Sequence, residues 1–291
     1  MKAGYMQINR SSRITRSASA LAVLLLVLFV SLLQAAEPKR ETLQAWDEYI
    51  RIVNLHIAKS AAETGQFLWT DESQDMARRV QRNEVVVTNH NPEDVPQGLI
   101  HDWVGAVFVP NVTLDRALSV VESYDRYDEF YKPLFSKCKV LARDGDQVKL
   151  NVVATQRAFS VTAAVETEDQ VQVVRLSPTK AYITSNAVRV QEIANYGQPT
   201  EHVFPENRRP GYVWREVTVQ RLEARDGGVY VEWEMIVLSR GIPTAFRWLI
   251  KPLTDELPRK MMLDLLDETR TAVKQESRLF QSQELASRAS R

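Results

Sequence analysis

The feature that most constrains the fold is a series of strand-like segments separated by tight turns. Apolar and polar residues alternate within these segments, and a period of two is typical of half-buried β-strands. Asp144-Gly145-Asp146 and Asp226-Gly227-Gly228 lie between such segments and supply the positive dihedral angles that hairpin turns need. Strands joined by tight turns must be antiparallel. The predicted strands cover 136–143, 147–155, 158–167, 170–176, 180–193, 212–224 and 229–239.

Further elements precede and follow this predicted sheet. Leu99–Val109 reads as another strand, after which Thr113 is placed to cap a helix and Tyr127–Tyr131 to form a second short helical piece. Pro258 can occupy the first turn of a long final helix. One strand, two short helices, several antiparallel strands and a long helix together predict an α+β fold.

The first 36 residues have the pattern of a secretory signal. They contain four cations and no acid, followed by an apolar run from Ala18 to Leu33 and the small residues Ala35 and Ala36. The run is shorter than the roughly 20 residues that span a bilayer. We therefore expect cleavage after Ala35 or Ala36, with an uncleaved N-terminal anchor as the alternative. Either way, we expect the rest of the chain to be exported to the periplasm or cell envelope.

Charge and cysteine content exclude other classes. Lys and Arg number 37, as do Asp and Glu, and residues 37–291 alone carry an excess of four acids. A nucleic-acid binder needs cations to neutralise phosphates, so no nucleic-acid partner is expected. The single cysteine, Cys138, cannot form an intramolecular disulfide. We expect it to be buried as a small apolar residue.

Residues 37–96 form a separate predicted region that begins with an amphipathic helix over Glu41–Ala62. One face of this helix is too apolar to remain in water. We expect it to pack on the outside of the sheet, with a partner protein or the membrane surface as the alternatives. The apolar face consists of Trp46, Tyr49, Ile50, Val53 and Ile57.

Four segments of the main domain resemble a known superfamily. They are Gly98-Leu-Ile-His-Asp-Trp-Val-Gly-Ala-Val-Phe-Val-Pro, Tyr124-Asp-Arg-Tyr-Asp-Glu-Phe-Tyr-Lys-Pro, Gly227-Gly-Val-Tyr-Val-Glu-Trp-Glu and Ser239-Arg-Gly-Ile-Pro. Together they resemble exported bacterial members of the START-like (SRPBCC) superfamily, which also holds lipid-transfer domains, coenzyme Q-binding proteins and polyketide cyclases. The resemblance implies a helix-grip fold over 97–280, in which a curved antiparallel sheet wraps around the long C-terminal helix. Residues 281–291 then form a polar tail.

The resemblance also implies a cavity between sheet and helix that holds an apolar ligand. Strand alternation places Trp233 and Met235 on one dry face of the last strand, and Met261 on the final helix suits a pocket for pliable ligands. The alternative is that these side chains fill a closed core. The candidate ligand-binding residues are His101, Trp103, Val107, Leu150, Val152, Phe159, Val161, Trp233, Met235, Phe246, Met261, Met262 and Leu265.

Two proline-bounded segments are expected to border the mouth of this cavity. They are Asn195–Gly211 and Ser239–Ile250, and such segments can move without breaking a sheet. Phe246 and Trp248 could then touch the ligand or a membrane surface transiently as the entrance opens.

No catalytic or cofactor motif accompanies the predicted cavity. The four histidines lack metal-ligand spacing, and neither a nucleotide-binding nor a nucleophilic-serine motif occurs. We therefore expect no metal and no cofactor. Glu232 and Glu234 lie opposite the apolar face and are expected to be solvated.

The sequence thus predicts a noncatalytic protein that binds or transfers a lipid or another hydrophobic small molecule. One alternative is a polyketide cyclase or aromatase-like enzyme, in which His101 or an inward-facing arginine moves protons. The other is a filled-core domain that acts by protein contact.

Overall fold

The computed structural model describes residues 37–62, 66–90, 93–158, 161–204, 212–241 and 256–289. Local capping interactions set where two of the helices begin. The side chains of Ser73 and Thr113 accept hydrogen bonds from the backbone N–H groups of Met76 and Arg116. The helices are α1 (Arg40–Ala62), α2 (Gln74–Gln81), α3 (Leu114–Val121), α4 (Tyr127–Phe130) and α5 (Leu257–Ala289), with 3₁₀ turns at Trp69–Glu72 and Tyr124–Arg126.

The described part of the chain forms one antiparallel sheet of ten strands. Its hydrogen-bonded order is β1-β3-β10-β9-β7-β6-β5-β4, with β2 paired to β3 and β8 paired to β7. The β9–β10 turn has positive φ at Asp226 (55°) and Gly227 (78°), as predicted. The strands are β1 (Val86–Asn89), β2 (Glu93–Val95), β3 (Gly98–Pro110), β4 (Phe135–Asp144), β5 (Gln147–Ala158), β6 (Val161–Ser177), β7 (Lys180–Ala194), β8 (His202–Val203), β9 (Val213–Arg225) and β10 (Gly228–Arg240).

The concave face of the sheet holds α5, so the predicted helix-grip fold is confirmed. Gly105 of β3 lies beneath this helix, and a Cβ there would stand 2.6 Å from Cδ1 of Leu266. Only glycine lets the helix approach the strand so closely. The main core lies between this face and α3, α4 and α5, and Cys138 is buried in it as expected.

The opposite face of the sheet, called the outer face below, is covered by α1 and by residues 66–82. The prediction that α1 packs on the outside of the sheet is confirmed, because its apolar side chains share one cluster with strand residues. This cluster includes Trp46 and Ile57 of α1 with Ile100, Trp214, Val217, Val219, Ile236 and Leu238. A second outer cluster includes Phe67, Leu68, Trp69 and Val80 with Val104, Ala106, Phe108 and Tyr230.

Two of the predicted elements have different bounds in the structure. The segments predicted as separate strands over 158–167 and 170–176 form the single strand β6, because a register shift between Glu168 and Asp169 leaves the pairing with β7 unbroken. Helix α5 continues to Ala289 and so includes most of the predicted polar tail. Within the described residues, no helix combines the length and apolar character needed to cross a membrane. The predicted signal over residues 1–36 lies outside the described residues.

Candidate functional site

The structure places many of the predicted lining residues in a closed core rather than along a free surface. Their neighbours there are aromatic: Tyr131 stacks edge-on against Trp233 with ring centroids 6.4 Å apart. Met261 is partly exposed and lines a cavity of about 120 Å³ beside Pro133 and Arg157. The predicted residues within the closed core are Trp103, Val107, Leu150, Val152, Trp233, Met262 and Leu265.

Part of the concave face remains accessible, and we call it the open wall. It consists of Glu216 and Thr218 on β9 with Met235 and Val237 on β10, all partly exposed. These four side chains alternate along their strands with residues that point to the outer face. Those outer residues, Val217, Val219, Ile236 and Leu238, are all buried. Over residues 216–219 of β9 and 235–238 of β10, the outer side of the sheet is therefore the drier one.

Two buried indole groups lie at the border between the closed core and the open wall. Trp103 stands directly opposite Met235, and Trp233 opposite Gly105. Each tryptophan is 4% exposed, and neither indole N–H meets an acceptor among the described residues. Leaving a buried donor unpaired costs about 1–3 kcal/mol. A carbonyl or hydroxyl oxygen of a ligand would be stabilised at these positions.

Two carboxyl groups on the concave face have raised pKa values. Asp169 of β6 faces Ala187 of β7, while Glu216 lies on β9, the other neighbour of β7. Burial raises the pKa of Glu216 to about 7, and the nearby Asp169 adds to the rise. Burial also raises the pKa of Asp169 to about 6, against a hydrogen bond from Thr167. Both groups can exchange protons near neutral pH.

His101 lies on the same face, opposite Val237. It is 8% exposed, and its Nε2 lies 2.9 Å from Oγ of Ser239. This contact holds the imidazole of His101, which lies on β3, beside the neighbouring strand β10.

Several predicted residues lie outside the described part of the chain or have side chains that are not described. Phe159 and Phe246 lie outside the described residues, as do 205–211 and 242–250 of the two predicted mouth segments. Val161 begins β6, and its side chain is not among those described.

The prediction that Glu232 and Glu234 are solvated is wrong. Glu232 is fully buried and Glu234 is 6% exposed, because α1 and residues 66–82 cover the face to which both side chains point. Glu232 accepts hydrogen bonds of 2.9 Å from the backbone N–H groups of Trp69 and Thr70 and from the Thr70 hydroxyl. Burial raises the pKa of Glu232 to about 7, whereas Arg221 and these donors oppose the rise.

A larger cavity, the outer-face cavity, opens between the sheet, α1 and the 3₁₀ turn at residues 69–72. Its volume is about 440 Å³. On its floor, the Tyr49 hydroxyl donates to Oδ2 of Asp102 at 2.7 Å. Arg221 pairs with Glu234, also at 2.7 Å, and Nδ1 of His90 lies 3.6 Å from Oδ2 of Asp102. The floor of this cavity thus brings together an imidazole, two carboxylates, a phenol and a guanidinium.

The carboxylates on this floor change the pKa values of two neighbouring side chains. A contact with Asp102 raises the pKa of His90, while burial of the ring opposes the rise. Burial and the hydrogen bond to Asp102 both raise the pKa of Tyr49. The phenol therefore stays protonated, and the imidazole is held more readily as a cation than in water.

Reasoning from the sequence missed this cavity. His90 follows β1, Asp102 lies on β3 and Glu234 lies on β10, so no short spacing links them. One signal was present: Asp102 and Glu234 are acids within largely apolar strands.

Comparisons with known proteins show similarity to solved structures only. No family model matches the chain, and no curated protein matches it either. A STAR-related lipid transfer protein from Xanthomonas axonopodis is 12% identical, with a TM-score of 0.42, over 65% of this chain and 98% of that one. The Zhui aromatase/cyclase from a Streptomyces species is 8% identical, with a TM-score of 0.44, over 61% of this chain and 96% of that one.

A third similar structure is the human StAR-related lipid transfer protein 5. It is 12% identical, with a TM-score of 0.42, over 69% of this chain and 92% of that one. At such low identities and scores the similarity concerns the fold and says nothing of the activity.

Proposed function

We propose that this protein binds a lipid or another hydrophobic small molecule on the open wall of its concave face. The observation that carries the proposal is the exposure pattern of β9 and β10. A filled core would bury concave-side residues such as Thr218 and Met235, yet these are partly exposed while their outer-face neighbours are buried. Met235 and Val237 offer apolar contact at this wall while Glu216 and Thr218 offer polar groups, and small-molecule sites combine the two.

The polar groups at this wall determine which functional groups and which charge the ligand can carry. The unpaired N–H groups of Trp103 and Trp233 suit a carbonyl or hydroxyl oxygen. Glu216 and Asp169 disfavour an anionic headgroup beside them when they are ionised. The preferred ligand is therefore an apolar molecule with a neutral oxygen function.

The cellular setting belongs to the same proposal. The cationic and apolar pattern of residues 1–36 supports export to a bacterial cell envelope. Sequencing the N-terminus of the protein recovered from a periplasmic fraction tests this point. Recovery only from the cytoplasm, with an intact N-terminus, would overturn it.

Organic extraction of the purified full chain, followed by mass spectrometry and a panel of lipid-binding measurements, tests the ligand proposal. Thr218→Phe fills the open wall, so the bound ligand and the new ring are overpacked against each other, at a cost to the complex of about 1–3 kcal/mol. Ligand affinity should fall by about 5- to 150-fold. Thr184→Phe is the matched control, because Thr184 is also partly exposed but faces the outer side opposite Val219.

If no ligand copurifies and no lipid in the panel binds, the proposal fails. Equal affinity in the Thr218→Phe variant and the unmodified protein would show that any ligand sits elsewhere.

The two carboxyl groups support a second candidate function, cyclisation of a reactive polyketide chain. General acid–base catalysis works best with a pKa near the operating pH, and the pKa of Glu216 is about 7. In this function Glu216 rather than His101 moves the proton. Glu216→Gln should abolish formation of a cyclised product. Equal product formation with and without the unmodified protein would exclude it.

A further inference from the structure

The outer-face cavity contains a cluster of nitrogen and oxygen ligands from three neighbouring strands. The backbone N–H of His90 donates to the carbonyl oxygen of Asp102 at 2.8 Å, which fixes the end of β1 beside β3. Glu234 projects from β10 on the same face and is paired with Val104, two residues along β3 from Asp102. Ligand atoms of the three side chains all lie within 4.8 Å of one another.

Asp102 supplies an independent indication that something binds here. The residue is 3% exposed, and only one of its carboxylate oxygens has a partner, the Tyr49 hydroxyl at 2.7 Å. The other oxygen, Oδ1, is buried and meets no donor among the described residues. A buried charge is normally paired or bound to a metal, so this oxygen lacks the partner that its burial calls for.

The charge of the cavity favours a cation. Besides Asp102 and Glu234, the lining includes the acids Glu72 and Glu93, against the cations Arg221 and Lys59. Four carboxylates therefore face two permanent cations, together with the histidines His56 and His90. An anionic ligand would be repelled, whereas a divalent ion would neutralise the excess.

We propose that His90, Asp102 and Glu234 bind one divalent transition-metal ion, whose remaining coordination positions open into the outer-face cavity. An imidazole with two carboxylates suits zinc and the ions close to it, whereas Mg²⁺ and Ca²⁺ prefer oxygen ligands alone. Zinc bonds to such ligands are about 2.0–2.2 Å long, so the cluster must contract on binding. The His90 side chain is 38% exposed and can turn toward the ion. The proposal departs from the sequence-based expectation of no metal site.

Calorimetric titration of the full chain, stripped with a chelator and then given Zn²⁺, tests the proposal. One Zn²⁺ should bind per chain, and Mg²⁺ should bind far more weakly. Changes outside the ligand set alone alter metal affinity by about 10- to 100-fold. Both His90→Gln and Asp102→Asn should therefore lose more than about 100-fold. His56→Gln is the matched control, because His56 lines the same cavity but is not one of the three ligands.

Asparagine at position 102 has the same shape as aspartate and keeps an acceptor for Tyr49. His90→Gln changes a partly exposed side chain, so it still tests the proposal if Asp102→Asn fails to fold. The proposal is overturned if no stoichiometric Zn²⁺ binds, if both variants bind as tightly as the unmodified protein, or if His56→Gln loses as much affinity. Chelation should leave lipid binding on the concave face unchanged, so failure of this proposal is distinct from failure of the ligand proposal.

Discussion

Glu232→Gln perturbs the contact that holds residues 66–82 on the outer face of the sheet. Oε2 of the fully buried carboxylate accepts one hydrogen bond, from the backbone N–H of Trp69, and Oε1 accepts two from Thr70. Glutamine has the same shape, but one of its terminal atoms is an NH₂ group that cannot accept. If its oxygen keeps the two bonds from Thr70, the Trp69 N–H is left facing another donor.

The expected change in the free energy of unfolding follows from the number of hydrogen bonds that are lost or weakened. A hydrogen bond to a charged group contributes about 1.5–3 kcal/mol, and the two that remain become weaker neutral bonds. Burial raises the pKa of Glu232, so folding disfavours the charged form at pH 8, and relief of the charge offsets most of the loss. We expect the free energy of unfolding to fall by about 1 kcal/mol. With a urea slope of about 2–3 kcal/mol/M, the midpoint should fall by about 0.3–0.5 M.

Urea unfolding at pH 8 measures this loss, because the pH then lies above the Glu232 pKa of about 7. Amide hydrogen exchange should show faster exchange at Trp69 and Thr70. Glu48→Gln is the control, since Glu48 is an exposed acid paired with Arg51, and exposed pairs contribute little to stability. An unchanged midpoint together with unchanged exchange at Trp69 and Thr70 would refute the reasoning.

Three further predictions concern stability. Trp46→Ala should lower the free energy of unfolding by about 3–5 kcal/mol, because Trp46 is 5% exposed within the outer cluster; a loss below about 1 kcal/mol in urea unfolding would contradict its packing. Gly105→Ala should cost about 1–3 kcal/mol through the 2.6 Å contact with Leu266, and an unchanged thermal melting temperature would argue against that contact. Glu216 has a pKa raised from 4.5 to about 7, so its contribution to stability is full below pH 4.5 and is lost as the pH rises through 7. Glu216→Gln should flatten the stability profile over that range, and an unaltered profile would contradict the shift.

Local periodicity was enough to predict an α+β chain with antiparallel strands and a long final helix, whereas the helix-grip arrangement of these elements came from the resemblance to the START-like superfamily. A period of two marked the strands, a period of 3.6 marked α1 and α5, and turn residues such as Gly227 marked a hairpin. These signals depend only on residues close together in the sequence, so they can be recognised without knowledge of the tertiary structure. The docking of α1 was predicted for a similar reason, because the face carrying Trp46 and Ile57 had to be buried somewhere.

Assignment of faces was less successful, because alternation separates two sides of a strand without telling which is covered. On β10 the polar side, with Glu232 and Glu234, was taken to be solvated and is in fact buried. On β9 the apolar residues Val217 and Val219 point outward to α1, while Glu216 points to the concave face. A single strand cannot show that a second layer of helices covers its outer face.

The outer face carries more buried charge than stability requires. The outer side of strands β3, β9 and β10 is covered, so Asp102, Arg221, Glu232 and Glu234 all lie at most 6% exposed. Replacing buried ionic groups by well-packed apolar residues is often neutral or stabilising. Glu232 has its donors in residues 66–82, and Arg221 and Glu234 pair with each other. Asp102 alone among these four keeps a buried oxygen without a partner, and it lies in the cavity beside His90. A buried carboxylate oxygen that packing does not need and that has no partner is best explained by a ligand. The cluster around Asp102 differs in this respect from Glu232, whose hydrogen bonds hold residues 66–82 in place.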